Sequence, residues 1–342
     1  MGKETIHKRV LSKNVVTLCI IAALCVAMCI LVYGGMASRQ LTNMLIPLAC
    51  YIVMAVSLNL VVGFLGELSL GHAGFMSVGL FSGCLFSIAT QEVLPLLVRL
   101  PAAMLIGGIA AAVVGFLVGM PVLRLKGDYL AIVTLACGEI IKNIITNLGV
   151  TGGALGLNTR SIYSSPKDLL PFAVVLIFIT VILMMNFCRS KQGRAIMAIR
   201  DNRIAAESTG INITYYKLLV FVMAAFFAGA AGVLYGHCFA NVKAADFDYN
   251  MSIEILVIVV LGGMGSIRGS VFAAIILRAL PEMLRSLSDY RMLIYSVLLI
   301  VIMLLNANPT FAEMKGRWNM RRVFRAIFRK QKAEEKEAES HE

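Results

Sequence analysis

Long runs of apolar residues, separated by short breaks of charged residues, glycine or proline, occupy most of the chain. Many runs reach about 18 residues, the length that a helix needs to cross a hydrocarbon core of roughly 30 Å with its backbone hydrogen bonds satisfied internally. They predict ten helices, over residues 15–33, 43–63, 69–89, 95–121, 129–148, 170–187, 216–236, 251–265, 267–281 and 291–305. The pattern therefore predicts an all-α membrane protein, a polytopic transmembrane helical bundle.

Composition and charge agree with a chain that lies in a bilayer. Of the 342 residues, 59% are hydrophobic and 15% are charged, whereas soluble domains carry about 25% charged residues. The net charge of +12 lies between and beyond the apolar runs, which is the placement that sets membrane topology and not that of a nucleic-acid-binding face. Ten helices starting from an internal N-terminus put most basic clusters on the cytoplasmic side. We expect a multi-pass protein of the bacterial plasma membrane with both termini in the cytoplasm.

Two apolar segments are interrupted by glycine in a similar way, residues 66–74 (GELSLGHAG) and 262–270 (GGMGSIRGS). They occupy corresponding places in the chain, which predicts two pseudo-repeated halves. Paired interruptions often mark a translocation pathway, because irregular backbone at membrane depth survives only against protein or a wet cavity. Small residues at simple helix crossings would give the same pattern, so both interpretations stay open. The candidate pathway residues here are Gly66, Glu67, Ser69, Gly71, His72, Gly262, Gly263, Gly265 and Ser266.

The predicted helix over 129–148 becomes polar in its second half. Glu139 and Lys142 lie one turn apart and can form an ion pair. A wet vestibule on the outer side of the membrane would explain this polar stretch, and a structural pair packed between helices would explain it equally well. Thr134 and Glu139 join the candidate pathway residues on the first interpretation.

The longest internal connection, about residues 188–215, is polar, basic and predicted to be partly helical. One interpretation is a cytoplasmic loop whose basic residues only follow the charge bias of such loops, with no further role. Its stretch 203–212 (RIAAESTGIN), however, resembles the Ala-Ala-x-x-x-Gly core of the coupling loop in ABC importer permeases, with Ile204 in the place of the general motif's glutamate. The resemblance implies that a short helix seats in a groove of an ATPase subunit. The candidate coupling residues are Arg203, Ala205, Ala206, Glu207, Gly210 and Ile211.

Further motifs extend the resemblance over about residues 45–305. They are GELSLGHA at 66–73, GDYLAIVTL at 127–135, TGGALGL at 151–157 and VLGGMGS at 260–266. In this order and spacing they resemble the LivM/LivH family of branched-chain amino acid permeases, and more its LivM branch. The resemblance implies the fold of an ABC importer permease. It also implies three kinds of protein partner, in addition to the lipid bilayer that the apolar runs predict: a second permease subunit, two cytoplasmic ATPases and an extracytoplasmic amino-acid-binding protein.

Motifs for catalysis and nucleotide binding are missing from the sequence. It has no GxxxxGK[ST] loop, no HExxH and no GxSxG, and its four histidines are dispersed. We therefore expect neither an enzyme nor a cofactor or metal site, and we expect the energy for transport to come from a partner. An ion-coupled secondary transporter is the alternative, for which Glu67 and Glu254 are the candidate carboxylates. A membrane-embedded enzyme would instead need several acid or histidine groups that converge inside the bundle.

Residues 313–342 follow the permease domain, which we place at 1–312. Met320, Val323, Phe324, Ile327 and Phe328 recur at helical spacing with arginines on the other faces, which predicts a basic amphipathic helix in the cytoplasm. It would lie on the membrane or pack on the ATPase or the bundle, and the charged end would be disordered.

Overall fold

The computed structural model describes residues 38–125 and 127–283 continuously, with isolated positions between 22 and 34 and between 293 and 304. The chain divides into two compact units, Met1–Ala279 and Leu280–Glu342. Nearly all the described residues belong to the first. The predicted domain boundary near 312 and the amphipathic tail lie outside the described residues.

Helices form most of the described chain. In order they are α1 (Arg39–Asn59), α2 (His72–Ala89), α3 (Leu96–Val122), α4 (Asp128–Asn147), α5 (Pro166–Arg189), α6 (Lys191–Asp201), α7 (Arg203–Ser208), α8 (Ile213–Gly236), α9 (Tyr249–Gly262) and α10 (Ile267–Met283). A π-helical turn over Leu60–Leu65 prolongs α1. Two short strands, β1 (Leu157–Asn158) and β2 (Asn241–Val242), and 3₁₀ turns at Gly149–Thr151, Gly153–Leu155 and Ala244–Asp246 complete the order.

The all-α fold is confirmed. Each of the eight predicted helices between residues 43 and 281 coincides with an observed helix to within four residues at either end. Six helices in the described part of the chain are long and apolar enough to cross a membrane. The predicted helices 15–33 and 291–305 lie mostly outside the described residues, although the positions described within them are helical. The pseudo-repeat of the two halves stays a prediction.

In helix α3, the size of the side chains determines which face is buried. Its small residues recur every four positions on one side and are buried, whereas large aliphatic residues on the other side are exposed. Small side chains let neighbouring backbones approach closely, and large ones suit the lipid. The small residues are Ala103, Gly107, Ala111, Gly115 and Gly119, and the exposed ones include Leu105, Ile109, Val113 and Leu117.

Helix α8 forms the centre of the bundle and packs on α1, α2 and α3. Gly229 of α8 faces Gly79 of α2, and a side chain at Gly79 would overlap the Gly229 backbone. Only glycine permits this close approach of two helices, where van der Waals contact between backbones replaces the hydrophobic effect as the source of packing energy.

The two ends of α8 carry different structures. The short helices α6 and α7 precede its first residue, Ile213. Beyond Gly236, strand β2 pairs antiparallel with β1, with Leu157 opposite Val242. His237 lies at this end, with its Nε2 atom 2.8 Å from the Ser87 hydroxyl oxygen. Because α8 has 24 residues, at about 1.5 Å per residue these structures lie on opposite sides of the bundle; the side with α6 and α7 is called the loop side below.

Candidate translocation and coupling site

The first glycine segment, residues 66–74, runs from the π-helical end of α1 into the first turn of α2, inside the bundle. Its Glu67 forms an ion pair with Lys217 of α8. Only 2% of the Lys217 side chain and 16% of the Glu67 side chain are exposed. Two charges removed from solvent in this way are tolerated only together, because either charge alone would be buried without compensation.

Side chains of α1, α4 and α9 hold the rest of this segment. The Leu70 N–H group donates to Thr134 Oγ1 at 3.0 Å, and the Ala73 N–H group donates to Ser252 Oγ at 3.1 Å. The first N–H groups of a helix have no partner within it, so Ser252 caps the beginning of α2 from another helix. His72 Nε2 lies 2.8 Å from Ser57 Oγ of α1. The segment is therefore irregular backbone fixed on several sides.

The predicted pathway residues of the first segment are mostly enclosed. Ser69, Gly71 and His72 are buried, Glu67 is half-buried and Gly66 is exposed. The Ser69 hydroxyl has no hydrogen-bond partner among the described residues. Gly71 packs on the Thr134 backbone, so Thr134 is brought to this segment as well.

The second glycine segment, residues 262–270, contains the turn between α9 and α10 and the first residues of α10. The Gly265 N–H group donates to Asn59 Oδ1 at 2.9 Å. Ser266 caps α10, since its Oγ accepts the Gly269 N–H group at 3.2 Å. In contrast to the first segment, Gly262, Gly263 and Gly265 are half-buried and Ser266 is exposed.

Both glycine segments meet the same stretch of α1. The first contacts it through Ser57 and the second through Asn59, two residues further along. The candidate pathway residues of the two segments are thus brought together at the end of α1 on the loop side.

Glu139 is the one predicted pathway residue that joins neither glycine segment. It forms an ion pair with Lys142 on α4 and accepts the Tyr249 N–H group at 3.0 Å, at the first residue of α9. A carboxylate at a helix N-terminus is favourable for the helix dipole. Glu139 therefore fixes the beginning of α9 to α4.

The predicted coupling residues lie on and just after α7. Asn202 caps its beginning by accepting the Ala205 N–H group at 3.1 Å. Its end is a Schellman motif, in which the Gly210 N–H group donates to Glu207 O and the Ile211 N–H group to Ala206 O. Gly210 has φ +85° with open space around it, so this glycine is needed for its backbone conformation.

Exposure around α7 differs from what the motif alone predicts. Ala206 is buried against its own chain, so it is not available to a partner, and Arg203 is half-buried. Ala205 and Glu207 are exposed, and Ile211 is half-buried. Ile204 is 82% exposed, and it is the large apolar side chain that α7 presents outward.

Residues 40–305 match the family described as the permease component of branched-chain amino acid transport systems. The chain belongs to this family. It is 33% identical, over 79% of its length, to the LivM permease protein of the high-affinity branched-chain amino acid transport system of Salmonella typhimurium and to that of Escherichia coli, and it covers 69% of each. The LivH permease protein of Escherichia coli is 31% identical over 38% of this chain and 43% of LivH. No solved structure matches the chain.

Family membership and the six candidate spans make the chain a multi-pass membrane permease subunit of the ABC importer type. It is a transport protein and not a catalytic enzyme. The glycine segments and α7 all lie within the matched residues.

Sequence reasoning missed several charged residues of the permease. Lys217 lies inside the predicted helix 216–236, but no role was assigned to it. The observed helix begins three residues earlier, at Ile213, where Asn212 caps it by accepting the Tyr215 N–H group. Arg200 of α6, treated only as loop charge, donates to the Gly63 carbonyl group at 3.2 Å.

Glu254 also has charged and aromatic partners. Arg278 Nη1 donates to its Oε1 atom at 3.2 Å, and the Tyr51 hydroxyl group donates to Oε2 at 3.1 Å. The Arg278 guanidinium lies 4.0 Å from the centre of the Tyr51 ring. Glu67 and Glu254, the two candidate carboxylates of an ion-coupled mechanism, are therefore both paired with cations.

Proposed function

We propose that the chain imports branched-chain amino acids as one of two membrane subunits of an ATP-driven transporter, with α7 as the element that docks on an ATPase subunit. The observation that carries the docking proposal is Ile204, a large apolar side chain exposed on a short helix whose two ends are both capped. A large apolar side chain held on a rigid, capped helix is suited to act as a central anchor for a protein partner.

The substrate and the partners rest on the relatives. Escherichia coli LivM and LivH are named as permease proteins of one high-affinity branched-chain amino acid transport system, which supports a pair of unlike permeases. Their system names also support leucine, isoleucine or valine as substrate. An extracytoplasmic amino-acid-binding protein and two cytoplasmic ATPases complete the proposed assembly, and both chain termini lie on the ATPase side.

The translocation pathway passes the end of α1 on the loop side, beside the two glycine segments. Supporting this is the half-exposed second segment, whose turn contacts Asn59. A branched-chain amino acid has an apolar side chain and a zwitterionic end. Its passage needs a mildly polar path without an unpaired charge deep in the membrane, which would trap it. The paired state of Glu67 and Glu254 is consistent with such a path.

Purification of the tagged full-length chain from its native membrane tests the assembly. A P-loop ATPase and a second permease should co-purify, and proteoliposomes of the complex with its binding protein should take up leucine when ATP is supplied. Uptake that follows an imposed ion gradient without ATP would contradict the proposal and support the ion-coupled alternative.

The docking role is tested by Ile204→Ser in the same complex. Removing a central apolar anchor at an interface costs about 2 kcal/mol or more, so we expect less ATPase to be retained and uptake to fall. The matched control is Val150→Ser, because Val150 is also an exposed aliphatic residue but lies in the loop after α4, on the other side of the bundle. Equal ATPase retention by both variants would contradict docking through α7.

A further inference from the structure

Arg200, the second-last residue of α6, joins the connection before α8 to the end of α1. Its Nη1 atom donates to the Gly63 carbonyl group at 3.2 Å. Asp201 orients the same guanidinium, since Oδ1 accepts from Nε at 3.0 Å and from Nη2 at 2.9 Å. The guanidinium therefore contacts both its exposed neighbour and the end of α1.

The Gly63 carbonyl group lies at a helix end, where a cation is stabilising. It belongs to the last turn of the π-helical extension, Leu60–Leu65, and the last carbonyl groups of a helix have no partner within it. The helix dipole also places partial negative charge there, which favours an arginine. Arg200 thus supplies both the missing donor and the favourable charge.

The same side chain touches both glycine segments. A Cβ atom at Gly66 would lie 2.7 Å from Arg200 Cγ, so the aliphatic part of the arginine packs directly on the first segment. A Cβ atom at Gly265 would lie 3.9 Å from Arg200 Nη1, so the guanidinium borders the turn of the second. One residue of the 188–215 connection therefore contacts the end of α1 and both irregular segments.

We propose that Arg200 is a positioning residue that transmits movement of the ATPase-docking connection to the two glycine segments. The proposal rests on the docking role of α7 proposed above, because α6 and α7 are joined directly through Asn202. When the ATPase displaces α7, α6 moves with it, and the Arg200 guanidinium carries the α1 end and the adjoining turns along or releases them. Arg200 itself contacts neither nucleotide nor transported solute in this mechanism.

Arg200→Gln in the complete, co-purified complex tests the proposal. We expect wild-type amounts of bound ATPase and continued ATP hydrolysis, but about tenfold less leucine uptake per ATP hydrolysed. Arg200→Lys keeps the charge but loses the paired donation from Nε and Nη2 to Asp201 Oδ1, so its leucine uptake per ATP should lie between those of the wild type and Arg200→Gln. The matched control is Arg194→Gln, because Arg194 of α6 donates to the Arg189 carbonyl group at 3.2 Å and not to α1.

A second readout separates transmission from simple stability. The chain carries Ser266→Cys as its single cysteine, and the rate of thiol labelling should differ between the nucleotide-free and the vanadate-trapped complex. Adding Arg200→Gln should abolish this difference. The melting temperature should stay unchanged. A wild-type ratio of uptake to hydrolysis in Arg200→Gln overturns the proposal, and so does loss of the bound ATPase. If the wild-type chain retains no ATPase, the docking role proposed above is contradicted, and the proposal for Arg200, which rests on it, is contradicted as well.

Discussion

The two glycine segments look alike in the sequence but differ in the structure. The first is enclosed by α1, α4, α8 and α9 and contains one half of a buried ion pair, Glu67–Lys217. The second contains a half-exposed turn, in which the Gly265 N–H group donates to Asn59 of α1 and Ser266 is exposed. The first therefore has the features of a fixed support, and the second those of a part that can move.

This difference teaches that a glycine interruption predicts irregular backbone but not how that backbone is held. How firmly the backbone is held depends on the polar side chains that neighbouring helices supply. Thr134 and Ser252 satisfy backbone N–H groups of the first segment and its adjoining helix, whereas Ser266 satisfies an N–H group of its own helix. Side chains of other helices accept two N–H groups at the first segment, those of Leu70 and Ala73, but one at the second, that of Gly265.

The largest expected effect is that of Lys217→Met. It leaves the Glu67 carboxylate, whose side chain is only 16% exposed, without its partner, which should lower the free energy of unfolding by about 3 kcal/mol. Unfolding of the purified chain in mixed micelles measures it. The double variant Glu67→Leu with Lys217→Met should recover most of the loss, because apolar groups of similar volume often replace a buried pair without net cost.

The comparison variant is Arg278→Met, in the Glu254 pair of the α9–α10 hairpin. Both side chains of that pair are 28% exposed, so water screens the remaining carboxylate better. We expect a smaller loss than with Lys217→Met. An equal or larger loss would mean that the first segment is not the more firmly held of the two.

A smaller effect is expected from removing one serine cap at each segment. Ser252→Ala leaves the buried Ala73 N–H group without a partner and should cost about 1–3 kcal/mol of unfolding free energy. Ser266→Ala removes an exposed N-cap and should cost about 1 kcal/mol or less. The two substitutions delete the same atom, so the difference between their unfolding free energies reports burial. A larger loss for Ser266→Ala would reverse the assignment of support and turn.

The helices could be predicted from the sequence because the bilayer fixes their length and composition. Even so, α5 begins at Pro166 and not near 170, since Ser165 caps it and proline fits the first turn. The glycine segments and α7 were found through their small residues. Their motifs required no knowledge of which helices are neighbours.

Pairings between distant helices could not be predicted in the same way. Lys217 and Glu67 are 150 residues apart, and Arg200 and Gly63 are 137 apart. Nothing local in the sequence indicates that α6 meets the end of α1. The burial of Ala206 likewise depends on how α7 lies on α8, a choice that helical spacing over six residues cannot specify.

The smallest perturbation, and the most direct test of the comparison, is thiol labelling at Ser69 and Ser266. Each is replaced by cysteine, singly, in a chain whose native cysteines are replaced by alanine or serine, because a serine-to-cysteine change adds little volume. Ser69 is buried and Ser266 is exposed, so a small polar thiol reagent should modify Ser266→Cys readily and leave Ser69→Cys unmodified until the chain is unfolded. Mass spectrometry of the intact chain over time gives both rates, with the unfolded chain as the reference for full reactivity. Equal rates in the folded chain would show that the first segment opens as freely as the second, and the distinction between a fixed support and a movable turn would then be lost.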